Sequence, residues 1–430
     1  MKIKTKPETA LLVAIIVLSL IFVPSMSKSA VAYSLDAADD NLNVILLIGD
    51  GMGFEHVQMA EWVEYGTLGS FDFRNLTTSA SMTTYSADEE ITDSAASGTA
   101  IACGVKTNNG YLGVDPATNP LQSIVEIAQI MNKSTGLIST TSATHATPAA
   151  FYAHHTSRYD YAVIESQMIN SGVDILMGGG TSYFDPSQIS ELEGKGYSLV
   201  YNRTELLSEA SDKIVGLFGY GYMDIERTRD YDVVPSLAEM TQVALDKLST
   251  DEDGFFLMVE GAQIDLEAHD NDKLDVILET IAFSEAVTLA LDFAKGRNDT
   301  IVIITADHET GGLTVLGESL NSTLPAEKAT EEEKRALRIE RADMITVSWS
   351  STYHTADRVP FYAYGEFFNE SVTSPIIDNT DIFYIMQNFY NDMPYTITEF
   401  SKIMLIGLIP VISGIALITL RKRLKLVKRN

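Results

Sequence analysis

Cysteine and positive charge are both scarce in this chain of 430 residues. Cys103 is the single cysteine, so no internal disulfide can form and the core has to be held together by packing. The 30 Lys and Arg residues are outnumbered by 59 Asp and Glu, and the formal net charge is −29. A negative field of this size repels the phosphates of nucleic acid, so we expect no nucleic-acid binding.

The N-terminal segment has the pattern of an export signal. Three lysines within the first six residues precede an apolar run over residues 10–23, and Ala-Val-Ala follows at residues 30–32. This order of positive charge, apolar run and small residues is typical of a cleaved signal peptide. We therefore predict a signal peptide over residues 1–32, with an uncleaved N-terminal anchor as the alternative.

The C-terminal segment has the pattern of a membrane anchor. Residues 403–420 are uncharged and apolar, and a helix of that length extends roughly 27 Å, close to the roughly 30 Å of a bilayer core. The basic residues that follow within 421–430 favour the cytoplasmic side. We predict a single transmembrane helix, a cytoplasmic tail over 421–430 and an extracytoplasmic domain over 33–400, on the outer face of the cytoplasmic membrane. A buried core helix is the alternative.

The body of the chain alternates short apolar runs with amphipathic stretches, which is typical of an α/β fold. Because both faces of a parallel strand are buried, such strands appear as wholly apolar runs. Strands are predicted at 44–48, 136–139, 173–177, 255–259 and 301–304, and helices at 121–131 and 274–294. We predict a doubly wound, mostly parallel central sheet with helices on both faces, and insertions near 185–240 and 313–345.

Acids and histidines follow several of these predicted strands. Asp50 follows the first strand, Glu260 follows the strand at 255–259, and Asp307 with His308 follows the strand at 301–304. The ligand crevice of an open parallel sheet lies at the carboxyl ends of its strands, so these side chains should converge. A single Asp in such a place is more often a turn or cap residue. The recurrence of acids with histidines favours a metal site.

Two further patterns suit a cation. Asp50 lies in Gly49-Asp50-Gly51-Met52-Gly53, which lacks the spacing of a dinucleotide-binding loop and places an acid where pyrophosphate would be repelled. Asp265 and His269 are four residues apart, so they share one face if their segment is helical. His145 and His354 are the remaining candidate nitrogen ligands.

Ser94 lies in a run of small residues, from Thr92 to Ala100, that resembles the start of a helix. An ordinary helix cap is the simple interpretation. The functional alternative is a nucleophilic hydroxyl at a helix N-terminus, where an anion is favoured. No Gly-x-Ser-x-Gly motif occurs in the chain, so a Ser-His-Asp hydrolase is not supported and a metal would have to activate the serine.

Taken together, these residues resemble the alkaline phosphatase family. The stretches that carry the resemblance are 48–53, 92–97, 144–155, 259–269, 305–312 and the pair His354-Thr355. It implies that small phosphate monoesters are hydrolysed to alcohol and inorganic phosphate through a phosphoserine on Ser94. Arg158 matches the arginine that binds two phosphate oxygens. Many members of the family dimerise, so the resemblance allows a homodimer.

The resemblance also implies two zinc ions and one magnesium-type ion. One zinc would be held by Asp50, Asp307 and His308, and the second by Asp265, His269 and His354. Asp50 and Glu260 would join Thr147 around the third ion. His145 stands where some members have an aspartate, so it could join the third site and favour zinc or another divalent ion there. Leu266 replaces a lysine or histidine that helps some members to hold phosphate.

Two alternatives remain open at this point. A related metallohydrolase of the same fold could act as a phosphodiesterase, sulfatase or phosphonate hydrolase. A catalytically silent surface protein could use its metals structurally, although a structural site is closed and needs no nucleophile.

Overall fold

The structure is a computed structural model that describes residues 41–319, 329–369, 372 and 374–391. The predicted signal peptide (1–32), transmembrane helix (403–420) and basic tail (421–430) lie outside these residues. Within the described part, no helix combines the length and the apolar character needed to cross a bilayer.

A ten-stranded sheet organises the fold. The described strands are β1 (Asn43–Gly49), β2 (Thr78–Thr83), β3 (Ser134–Ser142), β4 (Ile175–Gly179), β5 (Ser198–Val200), β6 (Ile214–Leu217), β7 (Phe255–Gly261), β8 (Thr300–Thr305), β9 (Glu309–Thr310), β10 (Leu313–Glu318), β11 (Ile345–Trp349), β12 (His354–Thr355), β13 (Val359–Tyr364) and β14 (Ile376–Asp378). The main sheet has the order β14-β2-β13-β8-β1-β7-β3-β4-β6-β5. β10 pairs with β11 and β9 with β12 in two small antiparallel sheets.

The main sheet is mostly parallel, as predicted. All pairs from β8 through to β5 are parallel, whereas β13 runs antiparallel to both β8 and β2. Each of the five predicted strands is observed, and every residue of β1, β7 and β8 is buried. This burial explains why the central strands consist of apolar runs rather than alternating patterns.

Two sets of helices pack around the central strands. The described helices are α1 (Phe54–Tyr65), α2 (Ser94–Cys103), α3 (Ile124–Ile130), α4 (Ala146–Ala149), α5 (Tyr161–Asn170), α6 (Pro186–Gly194), α7 (Arg203–Ser208), α8 (Leu237–Leu248), α9 (Gln263–His269), α10 (Lys273–Ala294), α11 (Glu331–Ala342) and α12 (Asn379–Tyr390). In one set, α10 contacts α1, α8, β7 and β8; in the other, α12 contacts α2 and α3, and α3 contacts β3 and β7. Both predicted helices are observed, as α3 and α10.

Side-chain caps mark where several helices begin. Ser123 and Ser236 each accept a hydrogen bond from the backbone three residues on, at the starts of α3 and α8. Asp93 caps α2 in the same way, by accepting from Ala96 N. Such a cap satisfies one of the otherwise unpaired N–H groups of a first turn, and its loss costs about 1 kcal/mol.

The two segments predicted as insertions differ in their relation to the sheet. The segment 185–240 supplies β5 and β6, which lie at one end of the main sheet. The segment 313–345 supplies β10 and α11; β10 pairs only with β11, outside the main sheet.

Candidate active site

The carboxyl ends of the central strands bring three acids to one edge of the sheet. β1 lies between β7 and β8, with Ile48 in register with both Glu260 and Thr305. Asp50 and Asp307 each lie two residues beyond these register positions, and Glu260 is next to last in β7. All three carboxylates are buried, with 0% exposure. Parallel alignment therefore creates a pocket of negative charge at the end of the sheet.

Three groups of acid and imidazole side chains could each hold a cation here. In each group, one oxygen or nitrogen from every member lies within 4.8 Å of the others. The groups are Asp50-Asp307-His308, Asp265-His308-His354 and Asp50-His145-Glu260. Asp50 and His308 each belong to two groups, so the cluster is continuous.

His269 and His354 face each other through nitrogens that lack hydrogen in the neutral ring. Their Nε2 atoms are 3.1 Å apart, while Nδ1 of His269 contacts Thr352 O at 2.7 Å and Nδ1 of His354 contacts Thr92 O at 2.9 Å. Because a carbonyl can only accept, each Nδ1 carries the hydrogen and each Nε2 a lone pair. Two facing lone pairs repel each other unless a cation, or a proton on one ring, lies between them.

Asp265 completes this part of the cluster from helix α9. Its Oδ2 is 3.3 Å from His269 Nε2 and its Oδ1 is 3.6 Å from His354 Nε2. The helix places Asp265 and His269 on one face, as their spacing predicts. The hydrogen bond to Asp265 raises the pKa of His269 to about 9, so the site favours a positive charge at this position.

His308 is oriented by a hydroxyl and directed at the other acids. Thr310 donates its hydroxyl hydrogen to Asp265 Oδ1, so its oxygen can accept from His308 Nδ1, 3.2 Å away. The lone pair on His308 Nε2 then points towards Asp307 Oδ2 at 3.2 Å and Asp50 Oδ1 at 3.4 Å. An imidazole fixed in this tautomer by a second contact is the usual form of a metal ligand.

The buried acids have electrostatics that fit bound cations. Burial, and next the charge of Asp307, raise the pKa of Asp50 well above its ordinary value. Burial likewise raises the pKa of Glu260 and that of Asp307 to about 7. Within the described residues, both oxygens of Asp50, Oδ2 of Asp307 and Oε1 of Glu260 have no hydrogen-bond partner. Divalent cations would compensate these charges and fill these empty acceptor positions.

Ser94 lies beside this cluster at the start of α2. Its side chain is buried, and its Oγ is 3.3 Å from His308 Nε2. The first N–H groups of a ten-residue helix lie at the same end, where an anion is favoured. The hydroxyl therefore faces both the candidate metal ligands and a place suited to a phosphate.

Arg158 also lies at this end of the helix, where it contacts the capping residue Asp93. Its Nη1 donates to Asp93 Oδ2 at 3.1 Å, and its Nη2 donates to His145 Nε2 at 3.3 Å. Nδ1 of His145 is buried without a partner in the described residues, and burial followed by Arg158 lowers the pKa of His145 to about 3. Thr147 lies close enough to Glu260 to lower its pKa.

The structure thus brings together all eleven residues proposed from the sequence, which are Asp50, Ser94, His145, Thr147, Arg158, Glu260, Asp265, His269, Asp307, His308 and His354. Sequence reasoning gave no role to Asp93, Thr310 or Ser139, which donates to Glu260 Oε2 at 2.5 Å. The sequence around Asp93 indicates a helix cap, but it gives no sign of the hydrogen bond that Asp93 accepts from Arg158. The position of Thr310 two residues beyond His308 is the only available hint of its role.

A parallel α/β sheet with clustered acids, imidazoles and a helix-capped serine at its carboxyl edge is the arrangement of a metal-dependent hydrolase. The sequence pattern of the family described as Alkaline phosphatase matches residues 41–343. The chain belongs to the alkaline phosphatase family of enzymes.

Known relatives agree in sequence and in fold. Alkaline phosphatase 4 of Bacillus subtilis (strain 168) is 35% identical to this chain, in a match that covers 79% of this chain and 86% of that protein. The solved alkaline phosphatase of the Antarctic bacterium TAB5 is 32% identical, has a TM-score of 0.68, and is matched over 81% of this chain and 97% of that one. A solved variant of the TAB5 enzyme, in which a histidine is replaced by glutamate, has Mg bound in the M3 site. It is 31% identical to this chain, with a TM-score of 0.67, and the match covers 81% of this chain and 97% of that one.

Proposed function

We propose that this enzyme hydrolyses phosphate monoesters to an alcohol and inorganic phosphate through a phosphoserine formed on Ser94. Membership of the family supports the reaction class. The observation that carries the proposal is the position of Ser94 Oγ, 3.3 Å from His308 Nε2 at a helix N-terminus. Beside it lie buried carboxylate oxygens that have no hydrogen-bond partner among the residues that the structure describes.

Ser94 supplies the nucleophile in this scheme. Its Oγ loses its proton and forms a bond to phosphorus as the ester P–O bond breaks, and the leaving alkoxide takes up one proton in exchange, so that an alcohol is released. Water then attacks the phosphoserine, which releases inorganic phosphate and restores the serine hydroxyl with its proton. Splitting one displacement into two through a covalent intermediate is the general advantage of an active-site nucleophile.

Arg158 is proposed to hold the phosphoryl group during both steps. A planar guanidinium can donate to two phosphate oxygens through two fixed, parallel N–H groups, a geometry that the ammonium group of lysine lacks. Asp93 keeps Nη1 in place, and Nη2 donates to the neutral ring of His145. Nη2 can therefore donate to an anion at the end of α2 while Nη1 keeps its pairing with Asp93, so no buried charge is left unpaired.

The ligand groups fit two zinc ions. Asp50, Asp307 and His308 would hold one ion, and Asp265, His269 and His354 the other. Bound zinc would lower the pKa of an attached oxygen and stabilise the negative charge that develops on attacking and leaving oxygens. Two observations support this assignment: the facing lone pairs of His269 and His354, and the oxygens of Asp50, for which the described part of the chain supplies no hydrogen-bond donor.

A third ion is proposed at Asp50, His145, Thr147 and Glu260. Carboxylate and hydroxyl oxygens suit magnesium, whereas the imidazole of His145 favours zinc or another transition ion. In the TAB5 variant, glutamate replaces a histidine and magnesium occupies the M3 site. This supports the proposal that the preference for magnesium or a transition ion depends on whether a carboxylate or an imidazole is present. We propose magnesium as the occupant where zinc is scarce, with zinc or another divalent ion, which the imidazole of His145 favours, as the occupant where both are present.

The cellular location is also a proposal, supported by the sequence pattern alone. Residues 33–400 would lie outside the cytoplasmic membrane after removal of residues 1–32, held there by a helix over 403–420. Fractionation of cells that produce the full chain, beside a chain ending at residue 400, tests this. The full chain should sediment with membranes and the shorter chain should not. If both remain soluble, the anchor is wrong.

The central test is hydrolysis of a chromogenic phosphate monoester by the zinc- and magnesium-loaded protein. Ser94→Ala and treatment with a chelator should each remove most of the activity. Ser208→Ala, at an exposed serine of α7, should remove none. Activity that survives Ser94→Ala would exclude the phosphoserine. Cleavage of a diester, sulfate ester or phosphonate in place of the monoester would favour a related hydrolase, and metal binding without any hydrolysis would favour a silent surface protein.

A further inference from the structure

A second group of carboxylates lies where the helix that carries Asp265 and His269 is followed by α10. One oxygen from each of Glu267, Asp272 and Asp275 lies within 4.8 Å of the others. None of these three side chains takes part in the reaction proposed above.

The turn between α9 and α10 brings the three acids together. Glu267 is in α9, Asp272 caps α10 by accepting from Leu274 N and Asp275 N, and Asp275 is in the first turn of α10. Asn271, with φ at 54°, reverses the chain between the helices, and Asp272 N donates to Glu267 O at 2.9 Å. The backbone therefore fixes the relative position of the two helix ends.

Asp275 is the member that points to a ligand. Its side chain is 1% exposed, and its Oδ1 has no hydrogen-bond partner in the described residues. Arg227 reaches Oδ2 at 2.8 Å and Asp272 Oδ2 at 3.5 Å, so a single guanidinium serves two carboxylates. A buried carboxylate oxygen without a donor costs free energy unless a cation or a proton compensates it.

The surroundings add negative charge rather than relieving it. Glu279, one turn further along α10, is buried and accepts from Glu226 N at 2.6 Å. Burial, and next the charge of Asp272, raise the pKa of Asp275. Burial, and next the charge of Asp275, also raise the pKa of Glu267 to about 7, so a proton shared between Glu267 and Asp275 is the competing way to relieve the charge, and the experiment below separates the two.

We propose that Glu267, Asp272 and Asp275 form a peripheral binding site for a divalent cation of the calcium type. Calcium takes carboxylate oxygens at roughly 2.3 to 2.6 Å, so the oxygens around one ion lie within about 5 Å of each other, and one oxygen from each of these three side chains meets that requirement. Water can complete the remaining positions. The ion would tie α9, with Asp265 and His269, to the start of α10.

Calcium binding to the full-length, zinc- and magnesium-loaded protein tests the proposal. The wild type should bind about one more Ca²⁺ per chain in equilibrium dialysis than the variant Glu267→Gln/Asp275→Asn. Calcium should raise the melting temperature of the wild type by several degrees and leave that of the variant unchanged, because a ligand stabilises only the state that binds it. Glu193→Gln/Asp246→Asn, which removes two charges from exposed helix positions, should behave like the wild type.

Arg227→Gln gives a second test that retains all three carboxylates. If a cation shares the group with Arg227, removing the guanidinium should tighten calcium binding several-fold. Equal calcium content in the wild type and the double variant would overturn the proposal, as would calcium affinity that does not change in Arg227→Gln. A third result would also overturn the proposal: calcium leaves the melting temperature of the wild type unchanged, and the double variant is more stable than the wild type in the absence of calcium. In that case a proton, and not a cation, compensates the buried negative charge.

Discussion

Asp93 accepts a hydrogen bond from Arg158 Nη1 at 3.1 Å through Oδ2, while its Oδ1 caps the helix that begins at Ser94 by accepting from Ala96 N at 2.9 Å. One carboxylate thus joins the proposed phosphate-binding arginine to the helix of the proposed nucleophile. Gly110 N donates to Oδ2 as well, at 3.0 Å, which fixes the carboxylate from a third direction. The guanidinium is therefore held in place before substrate arrives.

Replacement of Arg158 by lysine should show what this geometry contributes. Arg158→Lys keeps the positive charge but loses one of two parallel donors, and a hydrogen bond to a charged group contributes about 1.5 to 3 kcal/mol. We expect kcat/KM for a phosphate monoester to fall roughly 10- to 100-fold, with metal content unchanged. Arg297→Lys, at a surface pair with Asp299, is the control. A variant as active as the wild type would argue against bidentate binding.

Thr310 should prove to be a positioning residue for the zinc ligands. Its hydroxyl donates to Asp265 and lies 3.2 Å from His308 Nδ1, so Thr310→Val leaves both ligands without this support. Loss of such an outer contact typically weakens metal binding about 10- to 100-fold. Competition with a chromogenic chelator measures this directly. Thr314→Val, at an exposed position of β10, is the control and should bind zinc with the affinity of the wild type. If Thr310→Val binds zinc as tightly as this control, Thr310 does not position the zinc ligands.

The central strands could be predicted because burial on both faces leaves a continuous apolar run. The predicted strand at 44–48 is observed as β1 (Asn43–Gly49), and the acids that follow the strands meet where parallel pairing requires. The predicted helix at 274–294 begins one residue earlier, at Lys273, because Asp272 supplies the cap. Local signals of this kind are contained in a few neighbouring residues.

Contacts between distant segments could not be predicted in the same way. His354 reaches the site through the short antiparallel pair of β9 and β12, in which it is opposite Thr310. Two-residue strands have no periodicity to detect. Likewise, the hydrogen bond from Arg158 to Asp93 joins residues 65 positions apart, and only the folded chain shows it. The resemblance to a family supplied the grouping of these ligands, which composition and spacing alone left open.

His145 should determine which ion occupies the third site. His145→Asp exchanges an imidazole for a carboxylate beside Asp50 and Glu260, and oxygen ligands shift the preference from transition metals towards magnesium. After dialysis against equal zinc and magnesium, elemental analysis should find about one more magnesium per chain than in the wild type. His145→Asn removes the imidazole without adding charge and should not gain that magnesium. If the metal content of His145→Asp is the same as that of the wild type, His145 is not a ligand of the third site.

Glu279 should make the folded protein less stable as the pH rises. Burial, and next the charge of Glu226, raise its pKa well above the ordinary value of 4.5. A carboxyl group with a raised folded-state pKa contributes stability that is fully present below about 4.5 and is lost as the pH rises through the folded-state pKa. Glu279→Gln keeps an oxygen that can accept from Glu226 N and removes the charge.

The free energy of unfolding, measured in urea from pH 5 to pH 8, should therefore diverge between wild type and Glu279→Gln. The variant should gain about 1.4 kcal/mol relative to the wild type for each pH unit within the titration window. Glu340→Gln removes a charge from an exposed position of α11 and should show no such divergence. A constant difference between wild type and Glu279→Gln across this range would mean that Glu279 has the same pKa in the folded and unfolded chain, because only a change in proton binding on folding produces a slope with pH.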